Sequence, residues 1–124
     1  VACAVLAGLT PEIRQNIRER GKEVVAKLEA LSEELGDRIT GVQGTGLLCS
    51  VGRDGSRYKA YGTGSLEEYM RIHGASVIHG GENSLRYTPH FAITSDEVDL
   101  LVEATRQAIV NGPVKSAQNE AAAA

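Results

Sequence analysis

The chain has 124 residues, 42% of them hydrophobic and 23% charged, with a formal net charge of −3. That is the balance of one compact globular domain, and the length is too short for two ordinary ones. With 4% aromatic residues and no tryptophan, a slightly acidic chain has neither the basic footprint of a nucleic-acid binder nor stacking platforms for bases.

Residues 1–9, VACAVLAGL, are apolar and alanine-rich with no cap before them. They read as the tail of a buried helix. Thr10 and Pro11 restart the pattern, since threonine can cap a helix and proline suits its first position. Ile13, Ile17, Val24, Leu28, Leu31 and Leu35 then follow on one face of a long helix, with Arg, Glu and Lys on the other. Gly21 occupies a place on the apolar face where a large side chain is expected, which predicts close approach by a neighbour. Gly36 supplies the stop.

From residue 39 the period changes. Residues 39–51, ITGVQGTGLLCSV, read as strand, with Gly41, Gly44 and Gly46 marking a bend or bulge. Residues 53–65 read as a loop in which Asp54-Gly55 is a hairpin-type turn signal. Ser65, with Glu68 three residues on, predicts a capping box and a short helix, LEEYMRIH, ending at Gly74. Two short strands follow, 75–79 and 84–88, around a Gly80-Gly81 turn. Thr94 and Glu97 form a second capping box. Val98, Leu101, Val102, Thr105, Ala108 and Ile109 share one face of the helix behind it, and Asn111-Gly112-Pro113 ends it. The order predicts an α+β fold: a small, mainly antiparallel sheet covered by amphipathic helices. Residues 1–112 read as one small domain, with 1–9 leading in as a helix tail and 113–124 as a disordered tail.

Little in the chain carries chemistry of its own. His73, His79 and His90 lie in different contexts, at no metal-ligand spacing from one another or from a cysteine, so no metal site is expected. Gly44-Thr45-Gly46 lacks the following helix and third glycine of a dinucleotide loop, and reads as a glycine bend in a sheet. No G-x-S-x-G elbow is present. The helical glutamates read as a solvated face with weak ion pairs. Cys3 and Cys49 form no C-x-x-C pair and read as small buried hydrophobes in a reducing compartment. No segment has the apolar length of a bilayer span and no signal peptide is recognisable. A cytoplasmic location without membrane contact is the expectation.

Arg86 remains. In SLRYT, residues 84–88, Leu85 and Tyr87 face one side of a strand, and Ser84, Arg86 and Thr88 the other. Tyr87 is expected to join Phe91 and the last helix in the core. Arg86 then projects from the opposite face as a rigid fork suited to a carboxylate, or as an ordinary surface arginine paired with a glutamate.

Three stretches in this order carry a resemblance: ACAVLAG, LEALSEELGDRITGVQGTGLL and HGASVIHGGENSLRYTPHFAITSDEVDLLVEATRQAI. The chain resembles the C-terminal part of class III aminotransferases, fold-type-I pyridoxal-phosphate enzymes of the acetylornithine, ornithine and 4-aminobutyrate aminotransferase kind. The likeness runs from Ala2 to about Ile109. It implies a small domain packed against a large α/β domain that holds the cofactor, pyridoxal 5'-phosphate. It also implies a homodimeric parent acting on amino acids and 2-oxo acids. The family's arginine in its N-x-L-R-x-x-P segment falls on Arg86, where the resemblance implies contact with a substrate carboxylate or with a glutamate of the large domain.

The family's Schiff-base lysine, its aspartate for the pyridine nitrogen and its phosphate-binding residues lie upstream of the segment equivalent to Ala2. Lys22, Lys27, Lys59 and Lys115 do not stand in for that lysine. The chain also opens on valine, and its only methionine is Met70. The expectation is therefore a piece of a longer polypeptide, inactive alone, holding no cofactor and no catalytic residue, with Arg86 as its one substrate-binding residue. His90 stands where the family often has a second proline, and residues 53–64 match no part of the family pattern. The competing reading is a non-catalytic α+β module for docking or dimerisation, with Arg86 in a surface ion pair. If a large domain is missing, apolar surface should be exposed where it packed, above all at residues 1–9.

Overall fold

The computed structural model describes residues 1–59 and 61–115. In chain order they form α1 (Ala2–Gly8), α2 (Pro11–Leu35), a 3₁₀ turn (Gly36–Arg38), β1 (Ile39–Thr45), β2 (Leu48–Arg53), α3 (Leu66–Ile72), β3 (Ile78–His79), β4 (Ser84–Tyr87) and α4 (Ser95–Asn111). The strands make one antiparallel sheet in the order β1-β2-β4-β3. The fold is α+β, with helices against one face of the sheet.

The helix ends form for the reasons legible in their residues. The Thr10 hydroxyl accepts the Ile13 N–H, and Pro11 opens α2 without a donor to satisfy. Thr94 and Glu97 close a complete capping box on α4. At α3 the box is only half formed. Ser65 accepts the Glu68 N–H, but the Glu68 carboxylate takes the N–H of Gly64 rather than that of the cap.

Val24, Leu28 and Leu31 of α2 and Val98, Thr105, Ala108 and Ile109 of α4 are buried against Cys49 and Val51 of β2 and Leu85 and Tyr87 of β4. Ile13, Ile17 and Leu35 of the same α2 stripe are only partly buried. The Tyr87 hydroxyl lies 2.9 Å from the Thr105 hydroxyl, tying the sheet to α4. Burial pushes that phenol's pKa up. Asn16 of α2 donates to the carbonyls of Phe91 and Ile93, at 2.8 and 3.0 Å, and so fixes the loop between β4 and α4.

Gly21 is required by close packing. A Cβ there would fall well inside contact distance of the Gly46 carbonyl oxygen. α2 thus rests directly on the turn between β1 and β2.

Several expectations need correction. Residues 39–51 are two strands, not one bent strand. Gly46, with φ +55°, starts a two-residue hairpin turn, the left-handed first position that a type II′ turn demands. The irregularity in register falls between Ile39 and Gly41. β2 runs on to Arg53, which was expected in a loop. Asp54-Gly55 makes no hairpin; the Asp54 carboxylate instead accepts from the Ser56 N–H and hydroxyl in a tight local turn. Phe91 does not join Tyr87 in the core, being 48% exposed; only its backbone carbonyl is held, by Asn16. Cys49 is buried as expected, but Cys3 is exposed. α1 is helical, but it is not the buried helix expected: it has no buried residue, and Val1 before it and Val5 and Leu6 within it are exposed. The tail expectation falls mostly on residues 116–124, outside the described residues; the Lys115 N–H donates to the Arg57 carbonyl.

Candidate functional site

Paired residues in an antiparallel ladder point to the same face of a sheet. The register therefore sorts the side chains. The row Val42, Val51, Leu85 and the row Gly44, Cys49, Tyr87 face the helices. The row between them runs Gln43, Ser50, Arg86, Ile78 across all four strands and faces away. Gln43, Arg86 and Ile78 are exposed and Ser50 is half-buried, and Leu48 beside them is 55% exposed. No described element covers this face.

Arg86 thus stands on an inner strand, held by ladders on both sides, with its side chain on the open surface. The backbone beneath it is rigid and the guanidinium above it is free. Among the described residues no carboxylate lies within ion-pair distance of Arg86, and its side chain makes no hydrogen bond. The surface-pair alternative therefore lacks its glutamate among the described residues. Arg86, Gln43, Thr45, Leu48 and Ser50 line a shallow open depression of about 270 Å³ that has no acidic side chain among the described residues. A single cation among neutral donors on an open wall is chemically a site for an anion, and the planar guanidinium suits a carboxylate.

The other candidate groups lie elsewhere. The His73 Nδ1 donates to the Tyr69 carbonyl on its own helix; His79 pairs with Glu67 at 2.9 Å and lies tilted against Tyr61; His90 sits 3.3 Å from Glu97. Among the described residues no group of three or more His, Cys, Asp or Glu could hold a metal ion. Lys27 is committed to Glu23 and Asp99, Lys59 to the Thr63 carbonyl and Lys115 to the Gly55 carbonyl. Lys22 is on α2, across the sheet from Arg86. Among the described residues no lysine lines the depression beside Arg86. No described helix is long and apolar enough to cross a membrane.

One functional-looking residue escaped the sequence reading. Arg53 ends β2 and is 1% exposed. It donates to the carbonyls of Tyr58 at 2.6 Å and Glu82 at 2.7 Å, and its Nε meets no acceptor among the described residues. Burial pushes its pKa down, with no described carboxylate to offset the loss of water. Its partners are main-chain oxygens, so no spacing of side chains could have flagged it.

Set against known proteins, the chain is 31% identical over 110 residues to the acetylornithine aminotransferase of Methanosarcina mazei, covering 87% of this chain and 26% of that protein. The N-acetylornithine aminotransferase of Stenotrophomonas maltophilia superposes with a TM-score of 0.67 at 25% identity, over 81% of this chain and 27% of that one. In sequence and fold the chain resembles the C-terminal region of class III aminotransferases. Its fold is shared with the lysine aminotransferase of M. tuberculosis, with a TM-score of 0.73 at 20% identity, over 84% of this chain and 23% of that one. No protein-family model matches. The aminotransferase-like domain thus spans about a quarter of the length of the relatives it matches.

Proposed function

We propose that this domain serves a pyridoxal-phosphate-dependent class III aminotransferase that moves an amino group between an amino donor and a 2-oxo acid, and that Arg86 receives the substrate carboxylate. The observation that carries the reading is the placement of Arg86: a guanidinium with no partner among the described residues, on a sheet face that no described element covers, in a chain similar in sequence and fold to part of such enzymes. A glutamate of the large domain is the natural resting partner for the same guanidinium, displaced when a carboxylate enters.

The cofactor supplies the electron sink for amino transfer when bound, and it is held by the large domain. The domain's own work is to bind and orient. A carboxylate gripped in two parallel N–H···O bonds fixes one end of the substrate, and the sheet keeps the grip from shifting. Without a lysine beside Arg86 the 124-residue chain holds no pyridoxal phosphate and does not transaminate. The parent is a homodimer in the cytoplasm.

The test is Arg86→Ala in the full-length enzyme. The Michaelis constant for the carboxylate substrate should rise about a hundredfold, equivalent to about 3 kcal/mol, with cofactor absorbance intact. Unchanged kinetics would remove the role and favour a docking module. A stable visible band on mixing the 124-residue chain with pyridoxal phosphate, lost on mutating one lysine, would overturn its inactivity.

A further inference from the structure

The open face holds more unspent hydrogen-bonding capacity than Arg86 alone. Ser50 is the direct antiparallel partner of Arg86, and Gln43 is the partner of Ser50. Three polar side chains on three adjacent strands therefore stand in one line. Among the described residues neither the Ser50 hydroxyl nor the Gln43 amide has a hydrogen-bond partner. Gln15 and Gln107, by contrast, both bond to glutamates on their own helices.

Directly opposed residues have Cβ atoms about 5 Å apart, and the next strand adds about 5 Å more. An extended arginine spans the first of these gaps from its own Cβ, and the Gln43 amide can reach back across the second. The guanidinium can lean over Ser50 towards Gln43, and all three side chains line the same depression with Thr45 and Leu48. The adjacent row on this face carries Gly41, Gly52 and Ser84, with the Thr40 hydroxyl over Gly52, so among the described residues only small side chains flank the line on that side. Among the described residues the depression has one cation and no acid, which fits a single carboxylate rather than two.

We propose that Ser50 and Gln43 complete a carboxylate cradle around Arg86, making them specificity-determining residues for the carboxylate-bearing substrate. This rests on the aminotransferase reading of Arg86. Arg86 supplies charge and two parallel donors. The Ser50 hydroxyl and the Gln43 amide supply neutral donors to the remaining lone pairs, and so fix the rotation of the carboxylate about its own axis. An ionised carboxylate offers about four lone-pair sites, more than one guanidinium fills.

The test uses the full-length enzyme and four variants. Ser50→Ala and Gln43→Leu should each raise the Michaelis constant for the carboxylate substrate roughly five- to tenfold, with the turnover number and cofactor absorbance unchanged. Gln43→Glu, of the same shape but like-charged to the ligand, should raise it further than Gln43→Leu. If these variants leave the constant unchanged while Arg86→Ala raises it, the cradle is wrong and the reading of Arg86 stands. If Arg86→Ala also changes nothing, both fall. If Gln43→Glu binds as well as the parent, the amide faces no carboxylate and the cradle is likewise overturned.

Discussion

Two arginines stand on adjacent strands of one sheet and face opposite ways. Arg53 ends β2 on the helix side, where it is buried and spends its donors on the carbonyls of Tyr58 and Glu82. Arg86 lies in β4 on the open side, exposed and uncommitted among the described residues. The same side chain is structural in one place and available for binding in the other. What separates them is whether its donors are already satisfied within the domain. A buried guanidinium that holds two loops in place adds to stability only while those bonds exist. An exposed one with no partner adds nothing to the fold and is free to bind something else.

The first way to break this comparison is to remove the buried member. Arg53→Met keeps much of the apolar bulk but strands two carbonyls. Unfolding free energy should fall by about 3 kcal/mol in urea titration of the 124-residue chain. A loss under about 0.5 kcal/mol would mean that Arg53 is not structural.

The second prediction sharpens what holds the sheet in place. Gly21→Ala adds a methyl where the Gly46 carbonyl sits. Ordinarily such a change in a helix gains about 1 kcal/mol. Here it should cost about 2 kcal/mol net, by prising α2 off the β1–β2 turn. A stabilised variant in thermal melts would show that the contact yields.

The smallest effect concerns pH. Glu97 accepts the Thr94 N–H, and that bond, followed by His90 and the Thr94 hydroxyl, holds its pKa below the usual carboxylate value. A folded value below the unfolded one gives stability that is full above the unfolded value. It is lost as pH falls through the depressed folded value, from about pH 5 downwards. Glu97→Gln should flatten that part of the acid limb in melting temperature against pH. An unchanged limb would assign the acid sensitivity to other carboxylates.

The same distinction explains what could be read before the fold was known. Helix faces and caps were legible because they depend on residues three or four apart, as at Thr10, Thr94 and the stripe from Val24 to Leu31. The side taken by Arg86 followed from alternation within SLRYT alone. The Gly46 hairpin was missed because its turn lies inside an apolar run without an Asn-Gly or Asp-Gly pair, while Asp54-Gly55 had the signal and no second strand to receive it. Arg53 and Phe91 were misplaced for a common reason. Their settings depend on main-chain carbonyls, of Glu82 for one and of Phe91 itself bonded to Asn16 for the other, and carbonyls leave no mark in a sequence. The row Gln43, Ser50, Arg86 needed the register, which joins residues 43 positions apart.

The most direct test measures Arg86→Ala twice, once for stability in the 124-residue chain and once for substrate use in the full-length enzyme. The account predicts an unfolding free energy within about 0.5 kcal/mol of the parent together with a Michaelis constant for the carboxylate substrate raised about a hundredfold. A destabilised domain with unaltered substrate use would make Arg86 a second Arg53, and would contradict the assignment of the open face as a binding wall.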